Sequence, residues 1–281
     1  SFEITTLRED IFTDGRHAKV QFTSNWTKDA LRRDFTINAI YADINGRIFD
    51  PLNGTEDLKN GEIKFIGSTN DRIQEDYLRI LRYIRFFAEY SKQVDHKKNI
   101  QYIKQNINGL NKVSNERIFA ELKKILSLKN INQIFLDNDL KDIILIIFPQ
   151  FKYYKRLKKL NNIDKKLIKS YDYKLILTLL ILDETNDYDF FCYKYRISKE
   201  IKEKFKNISK NFKNLKNKKF YSKQSIKKFL YLNNKKYLID ILLFSNFINS
   251  NNEKFNLKEL LDYISNYKIP KFPISGNDLK K

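Results

Sequence analysis

The chain has 281 residues, of which 42% are hydrophobic and 14% aromatic, enough for a sizeable core in one large or two ordinary domains and too apolar for disorder. A single cysteine, Cys192, and two distant histidines, His17 and His96, exclude a disulfide framework and a thiolate or imidazole zinc site. No apolar run approaches the roughly 18 residues that a membrane span requires, and no signal peptide is visible in these residues, so a cytoplasmic protein without membrane partners is expected.

The formal net charge of +20 is unevenly placed. Residues 1–90 hold 13 basic and 15 acidic side chains, and the remainder carries +22. A balanced head on a basic body suggests a reaction centre joined to a polyanion-binding surface; a coding bias towards Lys, Asn, Ile and Tyr would produce the same excess. The arginines are more informative, because nine of the twelve lie in residues 1–90 against a Lys-rich background. Rigid five-donor forks stand there in place of flexible point charges. Residue 1 is Ser and the chain contains no Met, so the sequence reads as a fragment or a processed product.

Phe2-Glu3-Ile4-Thr5-Thr6-Leu7 alternates with period two and predicts a strand. Glu3 projects opposite Phe2 and Ile4, as a solvated edge carboxylate or as part of a polar site. Residues 8–16 are polar, acidic and loop-like, with Asp14-Gly15 as a turn signal, and Ala18, Val20 and Phe22 alternate as a second strand. A helix start at residues 27–31 delivers Arg32, Arg33 and Asp34 to an apolar segment over residues 36–42. Asn45-Gly46 predicts a hairpin between residues 40–42 and 47–49. Asn53-Gly54 and Asn60-Gly61 mark further turns.

From Asp71 the pattern turns helical, with Ser68 or Asp71 as cap and Ile73, Leu78, Leu81, Ile84 and Phe87 at three- and four-residue spacing. Arg79, Arg82 and Arg85 then share one stripe, with Asp76 one turn earlier. That pattern fits a phosphate- and base-recognising face, and equally a salt-bridged surface with Asp76 and Arg79 paired at i,i+3. The apolar residues on every side favour a semi-buried ladder.

Between Gly109 and Gly276 there is no glycine, and Pro149 is the only proline before Pro270, which predicts a helical body. Ser114 can cap a helix running to Leu126. Further helices are expected around 139–157, 171–184, 198–217, 222–233, 235–249 and 256–267. Lys202, Lys204, Lys206, Lys210 and Lys213, interleaved with Phe205, Ile208 and Phe212, suit phosphate contacts or a solvated amphipathic face.

At Arg32-Arg33-Asp34-Phe35-Thr36-Ile37-Asn38-Ala39 the sequence resembles the bacterial tRNA nucleotidyltransferase/poly(A) polymerase family, specifically the class II CCA-adding enzymes. Matching stretches in order are Phe2-Glu3-Ile4-Thr5-Thr6-Leu7-Arg8, Asp14-Gly15-Arg16-His17-Ala18, Asp50-Pro51 with Gly54 and Asp57-Leu58, Glu75-Asp76-Tyr77-Leu78-Arg79-Ile80-Leu81-Arg82, Ser114-Asn115-Glu116-Arg117-Ile118 and Ile274-Ser275-Gly276-Asn277-Asp278-Leu279. The resemblance is dense over residues 1–90 and diffuse over 91–270. It implies an α+β fold: part of a nucleotidyltransferase palm with a mixed β-sheet over residues 1–67, a nucleotide-recognising helical neck over 68–130, and a tRNA-binding helical body with the start of a tail over 131–281.

The implied activity is addition of CCA to the 3′ end of tRNA from CTP and ATP, dependent on Mg²⁺ and releasing pyrophosphate. A-only addition and poly(A) synthesis share these motifs, and a non-catalytic RNA-binding remnant is the alternative outside the enzyme class. In the family's pattern Arg33 and Asp34 lie on ribose and phosphates, Asp76 and Arg79 face the Watson–Crick edge of the base, and Arg82 and Arg85 face the triphosphate. Glu3 takes the superfamily's third acidic position, and residues 8–17, with Arg8, Asp14 and Arg16, form a mobile segment used in switching from C to A. The family's opening glycine-rich turn, Arg-Asp pair and paired metal-binding aspartates one residue apart do not occur here, and Asp10 and Asp14 are too far apart to replace them. Mg²⁺ is therefore expected to be held mainly by residues outside this chain, through a truncated gene model or a separate polypeptide. Alone, the chain is expected to bind nucleotide and RNA weakly and not to catalyse.

Overall fold

In the structure, a computed structural model, residues 5–13, 18–92, 96–162, 172–185, 187–248 and 255–270 are described, and the chain divides into two units, Ser1–Pro149 and Gln150–Lys281. The first unit opens on a hairpin in which β1 (Arg8–Thr13) runs antiparallel to β2 (Ala18–Phe22), with a register irregularity between Asp10 and Phe12. This corrects the loop-like reading over residues 8–13. The strand-forming run Ile11-Phe12-Thr13 and its cross-strand pairing outweigh the polar start Arg8-Glu9-Asp10. Thr5, Thr6 and Leu7, expected to end a strand, lie outside any sheet, although the Leu7 carbonyl accepts from the Thr23 amide at 3.0 Å. The rest of that expected strand, with Glu3, lies outside the described residues, as do Asp14 and Arg16.

Helix α1 (Trp26–Leu31) starts where the Asn25 side chain accepts from the amides of Thr27 and Lys28. The second hairpin, β3 (Tyr41–Ala42) with β4 (Ile48–Phe49), forms around Asn45-Gly46 as expected, with Gly46 at φ 78°. Between the next two turn signals lies an additional short helix, α2 (Gly54–Asn60). Its first amides, Gly54 and Thr55, donate to Asp50 at 2.8 and 2.7 Å, which gives Asp50-Pro51 a structural role as its cap. A Cβ on Gly54 would lie 2.2 Å from the Thr36 carbonyl oxygen, so only glycine lets α2 pack against the Thr36–Asn38 turn.

The helix expected from Asp71 onward is two helices. α3 (Thr69–Glu75), capped by Ser68, ends at Asp76, whose backbone is extended at φ −149° and ψ 103°. α4 (Arg79–Tyr90) restarts after the Asp76 carboxylate has accepted from the Leu78 amide at 3.1 Å. Within the break a wedge forms: a Cβ on Gly109 would stand 2.0 Å from the Tyr77 ring, so the ring packs directly against the Gly109 backbone. α4 buries Ile80, Leu81, Tyr83, Ile84, Phe86, Phe87 and Ala88. Phe35, from the segment after α1, sits against Phe65 and Phe86 at ring distances of 4.7 and 5.3 Å, and Phe65 stacks on Tyr83 at 5.6 Å. Each such buried ring contributes about 1.5–3 kcal/mol of transfer free energy, so the segment carrying Arg33 and Asp34 is bolted to the face of α4. α5 (Lys97–Asn106), α6 (Asn115–Leu126), capped by Ser114, α7 (Asn132–Leu136) and α8 (Asn138–Ile147) complete this unit.

Among its described residues the second unit has helices and 3-10 turns joined by short connections and no strand, as the lack of glycine predicts. Tyr154–Asn162 forms 3-10 turns, followed by α9 (Tyr173–Ile181), α10 (Tyr188–Lys194), α11 (Lys199–Asn211), α12 (Lys223–Leu232), α13 (Lys235–Ile248) and α14 (Leu257–Asn266). α9 buries every residue from Leu175 to Ile181. Its C-terminal carbonyls, of Leu179 and Leu182, accept from Arg156 at 3.1 and 2.6 Å. Burial lowers the Arg156 pKa to about 10, and its guanidinium lies 4.0 Å over the Tyr153 ring. Among the described residues no helix is long and apolar enough to cross a membrane.

Candidate nucleotide-binding site

The site grows from the turn that follows α1. Asp29, 1% exposed, is its hub. Its Oδ1 accepts from Arg32 at 2.9 and 2.7 Å and from the Arg8 amide at 3.2 Å. Its Oδ2 accepts from Arg33 at 3.2 and 3.0 Å and from the Tyr41 hydroxyl at 2.8 Å. Burial alone would raise its pKa, but the bonds from Arg32, Tyr41, Arg8 and Arg33 outweigh burial and hold it at about 2. A folded-state pKa below the ordinary 3.8 means stability that is present above pH 3.8 and lost as pH falls towards 2. Acid titration followed by the fluorescence of Trp26, the only tryptophan, which packs edge-on to Tyr41 at 4.9 Å, is expected to show this region losing about 2 kcal/mol across that window.

Asp34 is also buried, at 7% exposure. Its Oδ1 accepts from the Phe35 amide at 3.0 Å and the Asn38 side chain at 2.9 Å, and its Oδ2 accepts from Nε of Arg82 on α4. Burial pushes its pKa up, and the bond and charge of Arg82, the Asn38 bond and the charge of Arg79 pull it below the usual carboxylate range. Arg72 on α3 donates to the backbone carbonyls of Arg32 and Arg33, reaching the first at 2.7 Å, and to Glu75 at 2.5 Å. The two bonds to backbone carbonyls tie α3 to the Arg-Arg-Asp turn, and the third, within α3, holds the Arg72 guanidinium in place.

The three arginines of α4 form the semi-buried ladder expected, with side-chain exposures of 14, 28 and 13% for Arg79, Arg82 and Arg85. Each has its own carboxylate. Arg79 donates to Glu75 and to the Arg72 carbonyl, both at 2.6 Å, Arg82 to Asp34, and Arg85 to Glu121 of α6 at 2.5 Å. The Arg85 guanidinium also lies 4.1 Å over the Phe86 ring. The i,i+3 pairing of Asp76 with Arg79 does not form, because the break after Glu75 turns Asp76 away. Asp76 instead takes Arg117 of α6 at 2.7 Å. Arg82 binds Asp34 through Nε alone, so among the described residues its two terminal nitrogens have no other partner, a fork suited to phosphate oxygens.

The structure therefore brings Arg33, Asp34, Arg79, Arg82 and Arg85 together, with Asp76 at the edge. Sequence reasoning missed Asp29, Arg72, Glu75, Arg117 and Glu121. The signal was present as three- and four-residue spacing of Asp29 to Arg32 and Arg33, and of Glu75 to Arg72 and Arg79. Arg8 stands at the root of β1, where its backbone carbonyl accepts from Arg32 at 2.9 Å.

In the second unit Lys202, Lys206, Lys210 and Lys213 are exposed on and just after α11. Lys204 is a correction. It is 8% exposed and its ammonium lies 2.9 Å from Asp240 of α13, because the apolar stripe of Ile201, Phe205 and Ile208 turns that position inward. Lys204→Ala is expected to destabilise the second unit by about 2–3 kcal/mol, since it leaves Asp240 half-buried without its partner. The salt dependence of RNA binding should not change. Replacing the four exposed lysines by Gln should flatten the slope of log K against log salt with little effect on unfolding, the two measurements together separating the roles.

Two family models match the chain: the poly A polymerase head domain over residues 1–64, and the probable RNA and SrmB-binding site of polymerase A over residues 96–155. The mouse mitochondrial CCA tRNA nucleotidyltransferase 1 is 36% identical over an alignment covering all of this chain and 64% of the relative. The chain belongs to the CCA-adding/poly(A) polymerase family of nucleotidyltransferases. The human mitochondrial CCA tRNA nucleotidyltransferase 1 is 52% identical over 136 residues, 48% of this chain and 31% of the human protein. The chain thus matches less than two thirds of the length of either relative. The crystal structure of the Bacillus stearothermophilus CCA-adding enzyme in complex with CTP shares the fold at a TM-score of 0.67 and 20% identity, covering 98% of this chain and 67% of that one. In the family's terms, the Arg-Arg-Asp turn lies in the head match, while Asp76 and the ladder of α4 fall between the two matched segments.

Proposed function

We propose that this chain selects and orients the nucleotide, and holds the RNA, in the addition of CCA to the 3′ end of tRNA from CTP and ATP. The observation that carries this reading is the junction of Asp34 and Arg82, which joins the Arg-Arg-Asp turn to the arginine ladder in a chain that aligns along its whole length with a CCA tRNA nucleotidyltransferase. In this reading Arg33 and Asp34 hold ribose and phosphate, and Arg82 offers its terminal nitrogens to the triphosphate. Arg85, bonded to Glu121 and lying over Phe86, adds positive charge beside them. Asp76 accepts from the exocyclic amino group that cytosine and adenine share, and Arg79 donates to ring acceptors. Base binding then means an exchange of partners, Asp76 releasing Arg117 and Arg79 releasing Glu75.

Among the described residues no three His, Cys, Asp or Glu side chains are grouped to hold a metal ion. The Mg²⁺ used in such phosphoryl transfer does not fit them, and its ligands are proposed to lie elsewhere, on the same polypeptide or a separate one. For location, the only thiol, Cys192, is buried and unpaired, with burial pushing its pKa up to about 11. A reducing compartment suits it, and we place the protein in the cytoplasm. A mitochondrial location, which the names of the mouse and human relatives carry, is the other outcome of localising it.

The test incubates tRNA ending at the discriminator base with CTP, ATP and Mg²⁺. The natural polypeptide, joined by any separate polypeptide that supplies the metal ligands, is expected to build CCA, and this chain alone none. Addition of A alone, or of long A tails, would replace the CCA assignment with the family's other activities. Failure of the intact polypeptide to bind any nucleotide would leave an RNA-binding remnant.

A further inference from the structure

We infer that Asp29 is the positioning residue of this pocket, setting the orientation of Arg33 and fastening the β1–β2 hairpin to it. The inference rests on the assignment of Arg33 as a nucleotide contact. The Asp29 carboxylate is almost wholly buried, and both oxygens are committed. Oδ2 takes Nε and one terminal nitrogen of Arg33, at 3.2 and 3.0 Å. The other terminal nitrogen of Arg33 donates to the Asn38 carbonyl at 3.0 Å, and its guanidinium carbon stands 5.0 Å from the centre of the Tyr41 ring. Of the five N–H groups of a guanidinium, these bonds leave one on each terminal nitrogen. Arg33 is thus locked along one edge with its remaining donors available, while its side chain keeps 35% exposure. That is the arrangement a ligand-holding arginine needs, because its rotamer entropy is spent before the ligand arrives.

The same carboxylate reaches the hairpin. Oδ1 accepts from the Arg8 amide and from Arg32, and Arg32 also donates to the Arg8 carbonyl, so both backbone groups of the first residue of β1 are held by one Asp–Arg pair. A displacement of the hairpin root therefore pulls on the group that holds Arg33. A carboxylate serving only as a core ion pair would have no reason to divide its oxygens between the hairpin root and a half-exposed arginine.

The experiment compares Asp29→Asn, Arg33→Ala and the double variant of the intact natural polypeptide. CTP affinity is measured by equilibrium binding, and KM and kcat by tRNA end labelling. Asp29→Asn keeps the side chain's shape and removes its charge. It is expected to weaken CTP binding about tenfold and raise KM with kcat within twofold, while adding less than twofold in the Arg33→Ala background. An equal loss in both backgrounds, or no loss in the parent, overturns the inference. If Arg33→Ala itself leaves CTP affinity unchanged, the pocket assignment fails and takes the inference with it. Should Asp29→Asn not fold, as judged by circular dichroism, Tyr41→Phe carries the test. It keeps the ring beside Arg33 and removes only the hydroxyl bond to Asp29; a twofold to fivefold loss of CTP affinity that vanishes in the Arg33→Ala background supports the inference, and any other pattern overturns it.

Discussion

Arg82→Met is expected to abolish detectable binding of CTP and ATP and to destabilise the first unit by about 3–5 kcal/mol, because it leaves the Asp34 charge buried without its partner. Asp34 is 7% exposed, and among the described residues Arg82 supplies its only cationic bond. The two effects can be separated. In the double variant Asp34→Asn, Arg82→Met the asparagine oxygen still accepts from the Phe35 amide and the Asn38 side chain, while no buried charge remains. Its unfolding midpoint in urea should return most of the way to that of the parent, yet nucleotide binding should stay lost. If binding returns together with stability, the Asp34–Arg82 pair is a structural joint and the pocket lies elsewhere.

Asp76→Asn is expected to act on choice rather than on affinity. The change keeps an oxygen for the Leu78 amide, so the break between α3 and α4 survives, and with the side chain 20% exposed the loss of stability should stay near 1 kcal/mol. An amide presents a donor where the carboxylate presented only acceptors, which suits the carbonyl oxygens of uracil and guanine as well as the amino groups of cytosine and adenine. A base contact of this kind is worth about 1–3 kcal/mol, so preference for CTP over UTP should fall roughly tenfold to a hundredfold. Incorporation of each nucleotide at the tRNA end measures it; an unchanged ratio of CTP to UTP removes Asp76 from base reading.

Much of this was legible in the residues, and what was not follows a physical pattern. Helix starts marked by local side-chain bonds, at Ser68 and Ser114, were readable because cap and amide lie within three residues of each other. The Asn45-Gly46 hairpin was readable for the same reason. The density of Arg33, Asp34, Arg79, Arg82 and Arg85 among apolar neighbours pointed correctly to a semi-buried cluster. Who binds whom within it was not local: Asp34 and Arg82 are separated by 48 positions, and Arg85 and Glu121 by 36. The helix break at Asp76 was hidden because its periodicity resumes almost in phase after Tyr77. Lys204 was misplaced because a run of lysines masks the one that the apolar stripe turns inward.

The wedge of Tyr77 against Gly109 carries a consequence for how such a gene tolerates mutation. Asp76 and Arg79 flank Tyr77 in the chain, so the two groups proposed to read the base sit beside a residue whose ring is packed against Gly109. In a coding background drifting towards lysine and asparagine, a glycine codon next to Asn108 and Leu110 is exposed to the same drift, yet even one added methyl group there would displace the ring. Under the proposed reading, a side chain added at Gly109 is expected to show as misincorporated bases on tRNA ends.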